Sequence, residues 1–321
     1  MEVVTITDPN SGSKAQVAAH RGFNCFQFHA VLGDRVVDVI DSVEDFASGG
    51  GRVSGDGIPL LFPFPNRIRE GKFQWEGRDY HIPDGLASYD NTGNAIHGLC
   101  LDRSWRVIDQ SEQHVVGQFQ LSVDAPDRSE LWPGDFIIEV EYFVRGASLR
   151  SRIKVKNPGD KPIPWGLGTH TYFRLPLCDT TSPDQCLVQV PVNKQRILID
   201  CLPTGEVGPL TDEIDLRDGL YFDGLKMDDA FAGVEAEDGE VICSVIDEKA
   251  GLTVVQRCPD EFKEVVVFTP PGRNAVCMEP YTCCTDAINM QAAGHDAGLR
   301  TLGPGEEHST WVDIDVGAVV V

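Results

Sequence analysis

No stretch of this 321-residue chain approaches the roughly 20 consecutive apolar residues that a membrane-spanning helix needs. The opening Met1-Glu2-Val3-Val4 lacks the charged-then-apolar order of a secretory leader. Cationic residues are scarce: 27 Lys and Arg stand against 50 Asp and Glu, a net charge of −23. That field repels polyanions, and counterion release needs clustered Lys and Arg, so nucleic acid and anionic membrane surfaces are excluded as partners. The ten cysteines include no Cys-x-x-Cys pair, and no His/Cys spacing suggests a structural zinc site. With no leader to send the chain outside, the reading is a cytoplasmic protein with reduced thiols, the adjacent Cys283-Cys284 included. A Gly-rich phosphate loop and a nucleophile elbow are also missing. No metal and no cofactor is therefore expected.

Helical periodicity is absent too, since no window of twelve or more residues repeats convincingly at 3.6. Period-two alternation takes its place. Val115, Gly117, Phe119, Leu121 and Val123 fall on one face, with His114, Gln118, Gln120 and Ser122 on the other. Phe136, Ile138, Val140, Tyr142 and Val144 repeat the pattern, and Leu149 to Val155 alternate with Arg150, Arg152, Lys154 and Lys156. Further strand-like runs occupy 26–31, 35–40, 103–108, 187–192, 241–246, 252–256, 264–269, 275–278 and 311–316. Gly and Pro punctuate nearly every gap. Many short strands of this kind predict an all-β, large antiparallel β-sandwich or a barrel. Length alone suggests two domains, but all-β folds run past 250 residues as one unit, and no composition break marks a linker. The expectation is one domain over 1–321, with a Gly-, Ser- and Asp-rich surface loop over 43–57.

Three short stretches set ionisable side chains among apolar, Gly or Pro neighbours: Asn94-Ala95-Ile96-His97-Gly98, Gly168-Thr169-His170-Thr171-Tyr172-Phe173 and Met278-Glu279-Pro280. Two imidazoles and a carboxylate converging on one cleft make an acid/base set that works near neutral pH without a metal or a nucleophile. His170 follows the small-residue run Trp165-Gly166-Leu167-Gly168, which lets a ligand approach the backbone. Glu279 ends an apolar strand that Pro280 is expected to stop, an environment that rarely holds a carboxylate without a partner or a role. Asn66 and Arg67 lie in the rigid Pro63-Phe64-Pro65-Asn66-Arg67-Ile68, where fixed N–H donors suit hydroxyls or carboxylates. Asp228 precedes an aromatic in Met227-Asp228-Asp229-Ala230-Phe231. Each has a structural alternative: a backbone-satisfied histidine for His97, core packing around His170, and a buried salt bridge for Glu279. For Arg67 it is a tie between loops, and for Asp228 a turn cap. His295 and His308 read as surface residues of C-terminal loops, and the acids from Asp212 to Asp218 as a solvated loop.

At these residues the chain resembles the aldose 1-epimerase (mutarotase) family. The matching stretches are Asn66-Arg67-Ile68, Gly71-x-Phe73, Gly77-x-x-Tyr80-x-Ile82-Pro83, Asn94-Ala95-Ile96-His97-Gly98, Gly168-x-His170-x-Tyr172-Phe173, Asp228-x-x-Phe231 and Glu279. The resemblance implies a single supersandwich-type β-sandwich with a cleft on one sheet. By motif match it implies His170 as general acid and Glu279 as general base. His97 would hydrogen-bond the ring oxygen or a neighbouring hydroxyl, and Arg67, Asn66 and Asp228 would bind the sugar. The chain departs from galactose-type members, with Pro280-Tyr281 for Thr-Gln after the glutamate, Thr169 for Asn before His170, and Asp229 for His after Asp228. Those changes spare the proton-transfer groups and alter groups near sugar hydroxyls, so they leave the branch divergent from galactose mutarotases.

The implied activity is interconversion of α and β anomers of a free hexose through an open-chain aldehyde, with no cofactor. That chemistry expects His170 to stay protonated in the free protein, held so by a nearby carboxylate. The alternatives are an epimerase of a phosphorylated or sulfonated hexose, for which Arg52, Arg67 and Arg69 are candidate cations, and a non-catalytic carbohydrate-binding protein. Nothing in the sequence assigns an oligomeric state.

Overall fold

A computed structural model describes residues 2–319. The alternating runs join into a nine-stranded antiparallel sheet. Its centre is built from Ile137–Arg145, Ser148–Lys156, Glu307–Ala318, Leu252–Pro259 and Glu240–Asp247, paired in that order. Register sets Val144 opposite Leu149 and Leu149 opposite Ile314, so these inward residues form an apolar row across three strands. The basic face foreseen on Ser148–Lys156 lies on the outside. There Arg150 and Arg152 pair with Asp313 at 2.7 and 2.6 Å, and Lys154 with Glu307 at 2.8 Å.

A second antiparallel sheet faces the first, and its strands Glu264–Phe268 and Ala275–Tyr281 are buried on both faces almost throughout. Phe136 of the first sheet's side meets Phe62 edge-on at 4.9 Å, and Phe173, Phe231, Val267, Val276 and Met278 close the same cluster from the other sheet. Burying a side chain of this size is worth roughly 1.5–3 kcal/mol. The core therefore fixes one face of Ala275–Tyr281 through Val276 and Met278. Period two then sends Cys277, Glu279 and Tyr281 to the opposite face.

Several local expectations are corrected. The alternation from His114 ends at Gln120, where a helical turn over Leu121–Asp124 leaves Leu121 buried and Val123 56% exposed. Asp124 causes the break, accepting the Gln120 N–H and pairing with Arg106 at 2.9 Å. Pro280 does not stop its ladder, which continues to Tyr281. The neighbouring chain pairs as Gly168–Thr169 and Thr171–Arg174, interrupted at His170, so the missing Pro280 N–H falls beside that interruption. The segment 43–57 is anchored rather than loose, with Phe46 and Asp56 both buried. His308 lies in the strand Glu307–Ala318, not a loop, and contacts Glu261 at 2.9 Å. All ten cysteines are free thiols, Cys283 and Cys284 included.

The small residues before His170 serve the chain's own packing. A Cβ on Gly168 would stand 2.3 Å from the Tyr281 ring, and one on Gly166 2.2 Å from Cys283 Sγ. Gly168→Ala should therefore cost about 1–3 kcal/mol, as overpacked cores do. Gly317→Ala, whose nearest atom would be 3.8 Å away, should cost far less. Urea unfolding of the two variants measures the difference, and equal losses would contradict this packing.

Candidate active site

Register places the two central groups. Thr171 pairs with Met278 and Gly168 with Tyr281, so continuing the ladder sets His170 directly across from Glu279. Their facing atoms, His170 Nε2 and Glu279 Oε1, are 3.2 Å apart. Both residues are buried, His170 at 6% exposure and Glu279 at 1%. They form the floor of a cleft of about 850 Å³, inside the roughly 300–1,000 Å³ of small-molecule sites.

The wall beside them comes from two short segments. Arg67–Ile68 pairs with Ala95–Ile96, and His97 N–H donates to the Asn66 carbonyl at 2.8 Å. Asn66 and His97 both adopt left-handed backbone, φ 54° and 66°, a conformation that non-glycine residues hold mainly where surroundings enforce it. The His97 ring meets His170 edge-on at 5.6 Å. Arg67 donates from Nε to Asp90 at 2.6 Å and from Nη1 to Asn66 Oδ1 at 2.7 Å, so it ties loops together and lines the cleft at once. Asp228 opens the strand Asp228–Val234 opposite Phe268 and stands exposed in the cleft. All six residues singled out in the sequence, Asn66, Arg67, His97, His170, Asp228 and Glu279, line this one cavity.

Other residues complete the site: Tyr172, an aromatic neighbour of His170 that could wall a pocket or be core, lines the cleft, and Tyr281 joins it without having been assigned a role. Tyr281, noted only as a departure, donates its hydroxyl to Glu279 Oε2. Tyr172 stacks on His170 at 4.7 Å with rings 6° apart, and its hydroxyl donates to the Ser54 carbonyl at 3.0 Å. That bond pins the cleft-lining end of 43–57. Asp56 accepts the Val43 N–H at 3.0 Å, and Arg273 donates to the Gly55 carbonyl at 2.6 Å. The available signal was period two along Cys277-x-Glu279-x-Tyr281, which puts all three on one face.

Burial dominates the electrostatics. It lowers His170 from 6.5 to about 3 and pushes Glu279 well above the ordinary carboxylate range, with Asp228 adding to the rise. His97 is lowered well below its usual value by burial and by neighbouring His170 and Arg67. The expectation of an imidazolium in the free protein is thus corrected. The carboxylate beside His170 is Glu279 itself, and burial disfavours the charged form of each, drawing the imidazole down and the carboxyl up. Asp90 behaves oppositely: burial pushes it up, but hydrogen bonds from Asn94, Arg67 and Thr92 outweigh that and hold it low. The Nδ1 atoms of His97 and His170 are buried without partners among the described residues, an arrangement that costs about 1–3 kcal/mol per group and needs a reason.

Residues 34–315 match the sequence model of a family described as Aldose 1-epimerase. The chain is 26% identical over 259 residues to the uncharacterised protein YihR of Escherichia coli K12, covering 79% of this chain and 77% of that one. It is 28% identical over 148 residues to galactose mutarotase of Rattus norvegicus, 45% of this chain and 40% of the relative. A galactose mutarotase-like protein from Clostridium acetobutylicum superposes with a TM-score of 0.84 at 20% identity, over 99% of both chains. An aldose epimerase homologue from C. elegans gives 0.79 at 17%, again over 99% of both. The fold is the galactose mutarotase-like β-sandwich.

A carboxyl raised by burial makes stability depend on pH. Below about pH 4 both folded and unfolded chains carry the Glu279 proton; as pH rises the unfolded chain ionises near 4.3 and is favoured, by about 1.4 kcal/mol per unit until the folded value is reached. Glu279→Gln removes that loss. Relative to the unsubstituted protein, its unfolding free energy should rise by about 1 kcal/mol or more between pH 4 and pH 7. No relative gain in urea titrations would mean that Glu279 is ionised in the free protein.

Proposed function

Because this chain belongs to the aldose 1-epimerase family, and so among the isomerases, we propose that it interconverts the α and β anomers of a free hexose. The reaction opens and recloses the hemiacetal ring by acid–base catalysis, with His170 as acid and Glu279 as base. His97, Arg67, Asn66 and Asp228 hold the sugar, and the chain acts as one unit over 1–321. The observation that carries this reading is the 3.2 Å opposition of His170 and Glu279 at the cleft floor.

Ring opening needs one group that takes the proton of the anomeric hydroxyl and another that gives one to the ring oxygen. A pair holding a single proton meets that count whichever partner carries it. In the free protein, burial keeps the proton on Glu279. A bound sugar brings hydroxyls that hydrogen-bond the carboxylate form, and the proton crosses to His170 without entering solvent. Glu279 then removes the anomeric proton while His170 protonates the ring oxygen. Rotation about C1–C2 of the open aldehyde exposes the other face, and the transfers run backwards. Tyr281 steadies Oε2, so Oε1 is the oxygen left for the exchange. Arg67 stays fixed by Asp90 and offers Nη2 to a hydroxyl, which cuts the freedom the sugar loses in the transition state.

A phosphorylated or sulfonated hexose is the second reading, and one observation favours it. Arg52 lines the cleft, exposed and without an acidic partner among the described residues, whereas Arg67 is bound to Asp90 and Arg69 to Asp286. A non-catalytic sugar-binding protein has no use for an opposed acid and base.

Exchange NMR between anomers tests these readings. Glu279→Gln and His170→Asn should each lower the exchange rate by at least about 100-fold, the lower bound for a general acid or base. Either variant exchanging at the unsubstituted rate removes the assignment. Running glucose beside glucose 6-phosphate separates the substrates: a preference for the phosphate that Arg52→Ala abolishes selects the charged sugar. The rate should also stay level from about pH 5.5 to 7.5, because the pair keeps its one proton there, and fall towards pH 3 as His170 takes a second. A midpoint near 6.5 would show an ordinary, solvated imidazole.

A further inference from the structure

One buried nucleophilic group beside the pair has no part in the proton transfers. Cys277 lies two residues before Glu279 on the same face of Ala275–Tyr281, opposite Tyr172 on one side and Phe268 on the other. The donor atoms of His170, Cys277 and Glu279 all lie within 4.8 Å of one another. Imidazole nitrogen, thiolate sulfur and carboxylate oxygen form a donor set that suits Zn²⁺ and its thiophilic neighbours rather than Mg²⁺ or Ca²⁺. Bonds of about 2.0–2.3 Å in a tetrahedron put the donors roughly 3.3–3.8 Å apart. The His170–Glu279 separation of 3.2 Å is already close to that, and the widest separation closes with a shift of about 1 Å.

We propose that His170, Cys277 and Glu279 form an inhibitory site for a thiophilic divalent cation such as Zn²⁺, entered from the cleft and exclusive of catalysis. Binding forms three metal–ligand bonds and releases two protons, the thiol proton of Cys277 and the single proton that His170 and Glu279 share. The site is neutral before and after: two negative ligands balance the two charges of the ion, so a dry pocket accepts it. A fourth position faces the cleft, open to water or to a sugar hydroxyl. The ion takes both proton-carrying groups out of the reaction.

The test uses the full-length protein freed of metal by a chelator, with Co²⁺ as spectroscopic probe and Zn²⁺ as inhibitor. The unsubstituted protein should show a thiolate-to-cobalt charge-transfer band that Zn²⁺ abolishes by displacement. Micromolar Zn²⁺ should slow anomer exchange by about tenfold or more, reversibly with EDTA, while millimolar Mg²⁺ leaves it unchanged. Cys277→Ala should keep its exchange rate within about threefold, lose the band, and weaken Zn²⁺ inhibition by about tenfold or more. Cys277→Ser serves the same comparison should the alanine variant fold poorly. No band in the unsubstituted protein, or a band and inhibition unchanged in both variants, overturns the proposal. The inhibition arm rests on the epimerase reading and the spectral arm does not, so a band in a protein inactive on every aldose separates the two failures.

Discussion

A carboxyl group and an imidazole facing each other across adjacent strands, shielded from water, form the constraint on which the rest of this site depends. At 3.2 Å in a dry environment, two full charges are expensive and two neutral groups are not. The ladder around them exists to hold that spacing. Thr171–Arg174 and Gly168–Thr169 grip Ala275–Tyr281 on either side of the interruption, and only Gly at 168 leaves room for the Tyr281 ring that fixes one carboxyl oxygen. From the other side, Tyr172 fixes the plane of the imidazole and carries that position out to the cleft rim through Ser54.

Holding a titratable pair this way works against stability. Buried histidines with unpartnered nitrogens, two non-glycine residues in left-handed backbone and a carboxyl whose ionisation burial opposes each cost free energy. The sandwich beneath offsets them. One apolar cluster runs from Val4 to Val316, so the strain sits on a floor that packing fixes from below. The acidic surface fits the same division of labour. Arg150, Arg152 and Lys154 pair with Asp313 and Glu307 on the large sheet, while Arg67 and Arg52 line the cleft.

Much of this was legible in the residues. Period two gave the strands of the large sheet and the exposure of the basic face on Ser148–Lys156, because a half-buried strand writes its two faces directly into the sequence. The strand Ala275–Tyr281 writes less, since both its faces are buried; Tyr281 and Cys277 were there to be found only once Glu279 was given a face. The end of the strand at Gln120 depends on Asp124 reaching its backbone and Arg106, a contact that alternation cannot register. His97, His170 and Glu279 stand out as ionisable groups among apolar, Gly or Pro neighbours, Asn66 and Arg67 by their rigid Pro-rich segment and Asp228 by its place before an aromatic, and all six share one cavity. Their protonation was not legible. It follows from how deeply the pair is buried and from the carboxylate beside His170 being Glu279 itself, and both are tertiary facts. The anchoring of 43–57 was hidden for the same reason, since Asp56, Tyr172 and Arg273 converge on it from distant positions.

The central claim is that one proton is shared within this pair and crosses it when sugar binds. The ¹⁵N chemical shifts of His170, followed at neutral pH without and with saturating sugar, test it most directly. The account predicts a neutral imidazole in the free protein and imidazolium character once the cleft is filled. An imidazolium already present in the free protein, or a neutral ring that the sugar leaves unchanged, would contradict it.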